Sequence, residues 1–349
     1  MWKRGLLCFL FGFIQVCSAH NVKTSAWEVT EFVWNMGILS GCDAGIHTSL
    51  VEYFGRDHSF DESYYQKIKS GDIVWVKSDW VLQFCEKILP EVEFPFVLVI
   101  SDGDESFPSD CCRGMVAKDL INSDKIIHIF AQNCDYVGSS NKVSHIPIGM
   151  DFHTIAHPGG GWGEVGSPLG QEADMKKIMQ SFLPTHLRKK RAFVDFQHSD
   201  SLHGNYNRYL QFGEDRTAIF NRLLPTGLID HAGWMRRSNL WKTKGQYAFS
   251  VSPHGNGIDC HRTWEDLLLG CIVIVKTSTL DPLYEGLPVV IVKEWSEITE
   301  DNMTLWLEKY HDAFTNLSYR EKLTNAYWIR KIQATAQPYK VDNGVISEK

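Results

Sequence analysis

The stretch YAFSVSPHGNGIDCHRTWEDLLLGCIVIV, Tyr247–Val275, holds a complete folding unit. It opens on an apolar run, passes through a loop with two glycines, and closes on the apolar run Cys271–Val275. Between them Trp264, Leu267, Leu268 and Cys271 fall at i, i+3, i+4 and i+7, the buried stripe of a helix. Strand, glycine loop, helix and strand form the repeating unit of a parallel α/β protein. Arg262, Glu265 and Asp266 lie opposite the stripe within one turn, a spacing that predicts all three side chains at one site. Asp259 is placed to cap the helix. Gly255 and Gly257 let backbone approach a ligand, and a helix start offers free N–H groups. A cation there suits a diphosphate, and a carboxylate one turn deeper suits a ribose diol. The plainer alternative is an exposed Arg262–Asp266 pair over a packed helix, with glycines that only turn the chain.

The same unit recurs on both sides. Apolar runs without alternation begin at Ile73, Phe96, Lys125, Val143, Arg191, Leu228, Tyr247, Cys271 and Pro288, as in parallel strands covered on both faces. Helical patterns fit 61–69, 79–89, 172–182, 215–224, 259–269 and a long segment after Asn302. The glycine-rich segment His157–Gln171 breaks the rhythm and reads as a loop or boundary. It divides the chain into two Rossmann-like halves, over 20–170 and 171–300, with C-terminal helices and tail over 301–349.

Residues 1–19 carry Lys3 and Arg4, an apolar core over Gly5–Val16, then Cys17, Ser18 and Ala19, the order of a secretory signal. The core is short against the roughly 20 residues of a membrane span, so membrane attachment is expected only if this segment is retained as an anchor. Sequons at Asn302 and Asn316 agree with the ER or Golgi lumen, or secretion. Nine cysteines fall to an odd number once Cys8 and Cys17 are removed, which requires a free thiol; Cys271 is the natural candidate. Cys42, Cys85, Cys111, Cys112 and Cys134 are available for disulfides. A net charge of −7 on 349 residues argues against nucleic acid as a partner.

Tyr247–Val275 resembles the nucleotide-sugar-binding signature of exostosin-type glycosyltransferases through Ser252, Pro253, Gly255, Arg262, Glu265, Gly270 and Cys271. VKEWSEI, Val292–Ile298, is similar to that family's strand and acidic-Trp segment, and FVLVISDGDESF looks like its strand ending in an Asp-aromatic-Gly turn. The likeness covers about the last third of the chain; Ser101 stands where the family often has His, and Cys260 and His261 where it has Ser-Pro. It implies the GT-B fold: two Rossmann-like domains facing across a cleft, with bridging helices. It also implies an inverting, metal-independent transfer from a nucleoside diphosphate sugar to a glycan or glycoprotein acceptor. Donor binding would fall to Ser252, His254, Gly255, Arg262 and Glu265, and Asp102 becomes the candidate base.

Competing chemistry is thinner. Asp102-Gly103-Asp104 matches the metal-binding Asp-x-Asp of another glycosyltransferase fold, a pattern common at strand ends. His47, at the end of GCDAGIH and after its two glycines, is a second candidate base. His153 and His157 have a metal-binding spacing, but no nearby acid completes it, so the segment reads as loop and no metal site is expected. Trp162 suits stacking on a sugar ring. A retaining enzyme of the same fold, or a secreted glycan-binding protein without turnover, are the rival functions.

Overall fold

A computed structural model describes residues 30–45, 59–112, 115–156, 161–198 and 215–340. The expected signal segment, His47, His157 and the last nine residues of the expected tail lie outside them.

All nine expected strands are present. β1 (Ile73–Lys77), β2 (Phe96–Ser101), β3 (Ile126–Ala131) and β4 (Val143–His145) form a parallel sheet in sequential order. With it go α1 (Asn35–Leu39), α2 (Val81–Lys87) and α3 (Met115–Asn122). The helix expected over 61–69 is only a 3-10 turn, Glu62–Tyr65; Asp61 caps it, but Lys67 at φ 67° leaves the helical region. α4 (Pro168–Met179) starts inside the glycine-rich segment, where Ser167 accepts from the Gly170 N–H and Pro168 takes a first-turn position.

The second half runs β5 (Lys189–Val194), α5 (Arg216–Leu223), β6 (Ile229–His231), α6 (Arg237–Lys244), β7 (Tyr247–Val251), α7 (His261–Leu268), β8 (Ile272–Lys276) and β9 (Val289–Val292). Its five strands are parallel in the order β6-β5-β7-β8-β9. Counted within the sheet that is 2-1-3-4-5, a doubly wound topology whose direction reverses between β5 and β7. In such sheets ligands bind outside the carboxyl ends of the strands at that reversal.

Alternation along the strands sends side chains to two cores. Phe249, Val251, Ile272 and Ile274 meet Ile219 and Phe220 of α5. Val273 and Val275 face Trp264, Leu267 and Leu268 of α7, in a core continuous with that of the first sheet. Each such buried side chain contributes about 1.5–3 kcal/mol. Gly270, at φ 79°, ends α7 in the left-handed conformation and turns the chain into β8.

After α8 (Glu300–Lys309) and α9 (Leu317–Glu321), α10 (Asn325–Ala336) returns to the first sheet, burying Trp328, Ile332 and Ala336 there. Asn325 at its start accepts from the Trp34 N–H at 3.1 Å and donates to the Thr30 and Phe32 carbonyls. Two parallel α/β sheets with a returning C-terminal helix are a GT-B-like arrangement, the expected fold class. No helix among the described residues is long and apolar enough to cross a membrane.

The cysteines available for disulfides form none among the described residues, where all seven carry free thiols. Cys271 is fully buried, and burial pushes its thiol up to about 12, leaving it a packing group.

Candidate active site

Two adjoining cavities open between the sheets, of about 440 and 310 Å³. The larger lies at the reversal of the second sheet. Asp195 and Gln197 follow β5, Gly255–Gly257 follow β7, and Arg262 and Glu265 come from α7. The smaller lies over the first sheet, between Lys77 and Asp102 at its strand ends, Asp79 in the turn after β1, and His153 on the loop after β4. Asp104, Ile148 and His261 line both.

The loop after β7 is docked onto the first sheet's loops. Gly257 packs so closely on Asn133 that a Cβ would lie 2.5 Å from its Nδ2, while Asn133 Oδ1 accepts from the Asp259 N–H at 2.8 Å. Asp259 does not cap α7. Its carboxylate takes the Ile148 N–H and the Trp264 Nε1–H, both at 2.8 Å, bridging the sheets; Cys260 is the N-cap and supplies no side-chain bond. Burial raises its carboxyl to about 6, against these donors.

The polar face of α7 is divided, and the expectation that three side chains share one site fails for Asp266. That carboxylate is fully buried beneath the helix, bonded by Ser250 and paired with Lys244 Nζ at 2.7 Å. Lys244, also fully buried, reaches Asp195, which pairs in turn with Arg262 Nε at 2.6 Å. Burial opposes ionisation of Asp195, but Lys244 and Arg262 hold its carboxyl below the usual range. No Arg262–Asp266 pair exists. Glu265 faces the cavity and is gripped by Arg237 and by Trp241 Nε1 at 3.2 Å.

Ser252 and His254 sit behind the cavity wall. Ser252 Oγ bonds Thr263 Oγ1 at 2.9 Å, tying loop to helix. The His254 carbonyl accepts from Arg216 Nε at 2.8 Å, and burial, with Arg216 beside it, lowers the imidazole to about 4, so the ring is neutral. Arg216 and Arg237, absent from the sequence reading, line the cavity with Arg262. Trp162, 43% exposed, stands at its edge.

Asp102 caps the end of β2 at φ 64°, a left-handed conformation that Asp tolerates better than most residues. Its N–H donates to Gln132 Oε1 at 3.2 Å and one carboxylate oxygen accepts from Asn35 Nδ2; Oδ2 is buried without a hydrogen-bond partner. Burial raises its carboxyl to about 6, with His153 and Asn35 pulling the other way. The acid found wanting beside His153 is Asp151, 3.1 Å away, and His261 joins them from α7. That trio is invisible in the spacing of His153 and His157, because its third member comes from the other sheet.

No family model and no curated protein matches the chain. Among solved structures it is similar to a UDP-forming α,α-trehalose-phosphate synthase from Burkholderia xenovorans, at 12% identity and TM-score 0.39, over 76% of this chain and 73% of that one. It is also similar to a sucrose-phosphate synthase from Thermosynechococcus elongatus, at 12% identity and TM-score 0.35, over 76% and 71%. Likenesses this loose carry no argument about function, which rests on the chain's own topology and side chains.

Proposed function

We propose that the protein is a glycosyltransferase that moves a sugar from a nucleoside diphosphate sugar to a glycan or glycoprotein hydroxyl. The observation that carries this reading is the coincidence of the resembling stretch with the reversal point of the second sheet. Gly255–Gly257 and Arg262 come from the β7–α7 connection and face Asp195 after β5, at the crevice where a doubly wound sheet takes its ligand.

In this reading Arg262, fixed by Asp195, and Arg216 meet the diphosphate. Charge grows on that leaving group as the sugar bond breaks, and guanidiniums already held in place stabilise it without reorganising. Glu265, oriented by Arg237 and Trp241, accepts from the ribose hydroxyls. Ser252 and His254 shape the loop rather than touch the donor. Trp162 offers a face to a sugar ring. Asp102, whose buried Oδ2 has no hydrogen-bond partner, stands on the opposite sheet as the base that takes the acceptor proton. That assignment supports inversion, as the exostosin-type resemblance implies. The signal-like residues 1–19, with Asn302 and Asn316, support a lumenal enzyme.

A thermal-shift screen of the purified chain against nucleotides and nucleotide sugars tests the reading. At about 100 times its dissociation constant a bound donor adds about 2.7 kcal/mol of stability. A nucleoside diphosphate should raise the midpoint as its sugar conjugate does. If none of them moves it, the reading is wrong.

A further inference from the structure

We propose that Asp151, His153 and His261 bind a zinc-class divalent cation at the junction of the two cavities. The ligating atoms of the three side chains lie within 4.8 Å of one another, two on the loop after β4 and one opening α7. The site departs from the metal independence implied by the exostosin-type resemblance, and it does not rest on the donor-binding reading.

Three observations lead to it. First, His261 Nδ1 lies 2.7 Å from the Gly149 carbonyl, which can only accept, so Nδ1 carries a proton and Nε2 is the ring nitrogen left to ligate. Metal-bound histidines are commonly oriented by such a bond from the other ring nitrogen to a carbonyl. Second, His153 Nδ1 is buried 3.1 Å from Asp151 Oδ1, yet forms no hydrogen bond. The two atoms are close but not aligned on each other. Donors around one ion at about 2.0–2.2 Å stand about 2.8–3.6 Å apart for octahedral to tetrahedral angles, so that spacing fits ligands sharing a third body. Third, the donor set is chemically selective. Two imidazoles and one carboxylate suit zinc and its neighbours, whereas magnesium and calcium prefer oxygen alone.

Three protein ligands leave a coordination position open, as in catalytic rather than structural zinc sites. His261 lines both cavities, Asp151 the larger and His153 the smaller, so an oxygen ligand entering from either side meets the ion.

The full chain, stripped with chelator, is titrated with Zn²⁺ and Mg²⁺ by calorimetry, and with Co²⁺ by visible absorption. One Zn²⁺ per chain is expected, with cobalt d–d bands of low coordination number and no Mg²⁺ heat. Asp151→Asn, His153→Ala and His261→Ala should each weaken Zn²⁺ by more than the roughly 10–100-fold that follows loss of an outer-shell partner. Their metal-free unfolding midpoints show whether each variant is folded. His186 and His311 are an exposed histidine pair with ring centroids 6.3 Å apart, so His186→Ala serves as the control and should bind as the wild type does. Absence of stoichiometric Zn²⁺ overturns the proposal, as does binding that persists in the folded variants or disappears with His186→Ala.

Discussion

The two cavities are built from similar residues and differ in how their charges are satisfied. In the larger, Asp195 is paired with Arg262 and Lys244, and Glu265 with Arg237. In the smaller, Asp79 pairs with Lys77 and Glu105 accepts from Ser78, but Asp102 keeps a buried oxygen without a hydrogen-bond partner. A paired network is a scaffold: removing a member strands a buried charge and the fold bears the cost. Asp102 stands outside any such network: burial raises its carboxyl toward neutral pH, so its charge already works against the fold. Loss of Lys244 should therefore be read out in stability, and loss of Asp102 in turnover.

The largest effect is expected at Lys244. Lys244→Met leaves Asp195 with Arg262 alone and the fully buried Asp266 without its cation, and should cost about 3–5 kcal/mol of unfolding free energy in urea at neutral pH. A loss under 1 kcal/mol would mean that the network is not structural. Asp102→Asn is the opposite case. Turnover should fall about 10²–10⁴-fold, the usual worth of a general base, while donor affinity and the unfolding midpoint stay at wild-type values or the midpoint rises. Activity within a few-fold of wild type would take Asp102 out of the mechanism.

Arg262→Ala comes next, with a loss of about 1.5–3 kcal/mol in nucleoside diphosphate binding, as for a hydrogen bond to a charged group. Turnover should drop as well, because the interaction strengthens in the transition state. The smallest effect belongs to Arg236→Ala. Its pair with Glu164 is exposed at 3.3 Å and should be worth under about 1 kcal/mol, screened by salt.

The fold was largely legible because parallel strands buried on both faces write continuous apolar runs, and all nine appear where those runs stand. Helices were less so. NMGIL of α1 is buried all round and has no polar face to betray a period. RSNLWKTK of α6 is mostly polar, yet Arg237 and Lys244 are buried because Glu265, Asp195 and Asp266 meet them. A charge's partner is a fact of tertiary structure, and the same reason hid most of the site. Arg262 and Glu265 announced themselves beside a glycine loop; Arg216, Arg237 and Asp195 carry no local signal. Asp259 was misread because a capping position and a bridge to Ile148 look alike in one dimension. Asp151 was within two residues of His153, but its meaning depends on His261, more than a hundred positions away.

The central claim is that the reversal point of the second sheet holds a nucleoside diphosphate through Arg262. Calorimetric titration with uridine, guanosine and adenosine diphosphates, on wild type, Arg262→Ala and Asp102→Asn, tests it most directly. At least one diphosphate should bind the wild type and Asp102→Asn equally, and Arg262→Ala about tenfold or more weaker, the equivalent of 1.4 kcal/mol. Unchanged affinity in a folded Arg262→Ala variant would contradict the claim and leave Arg262 as Asp195's partner alone.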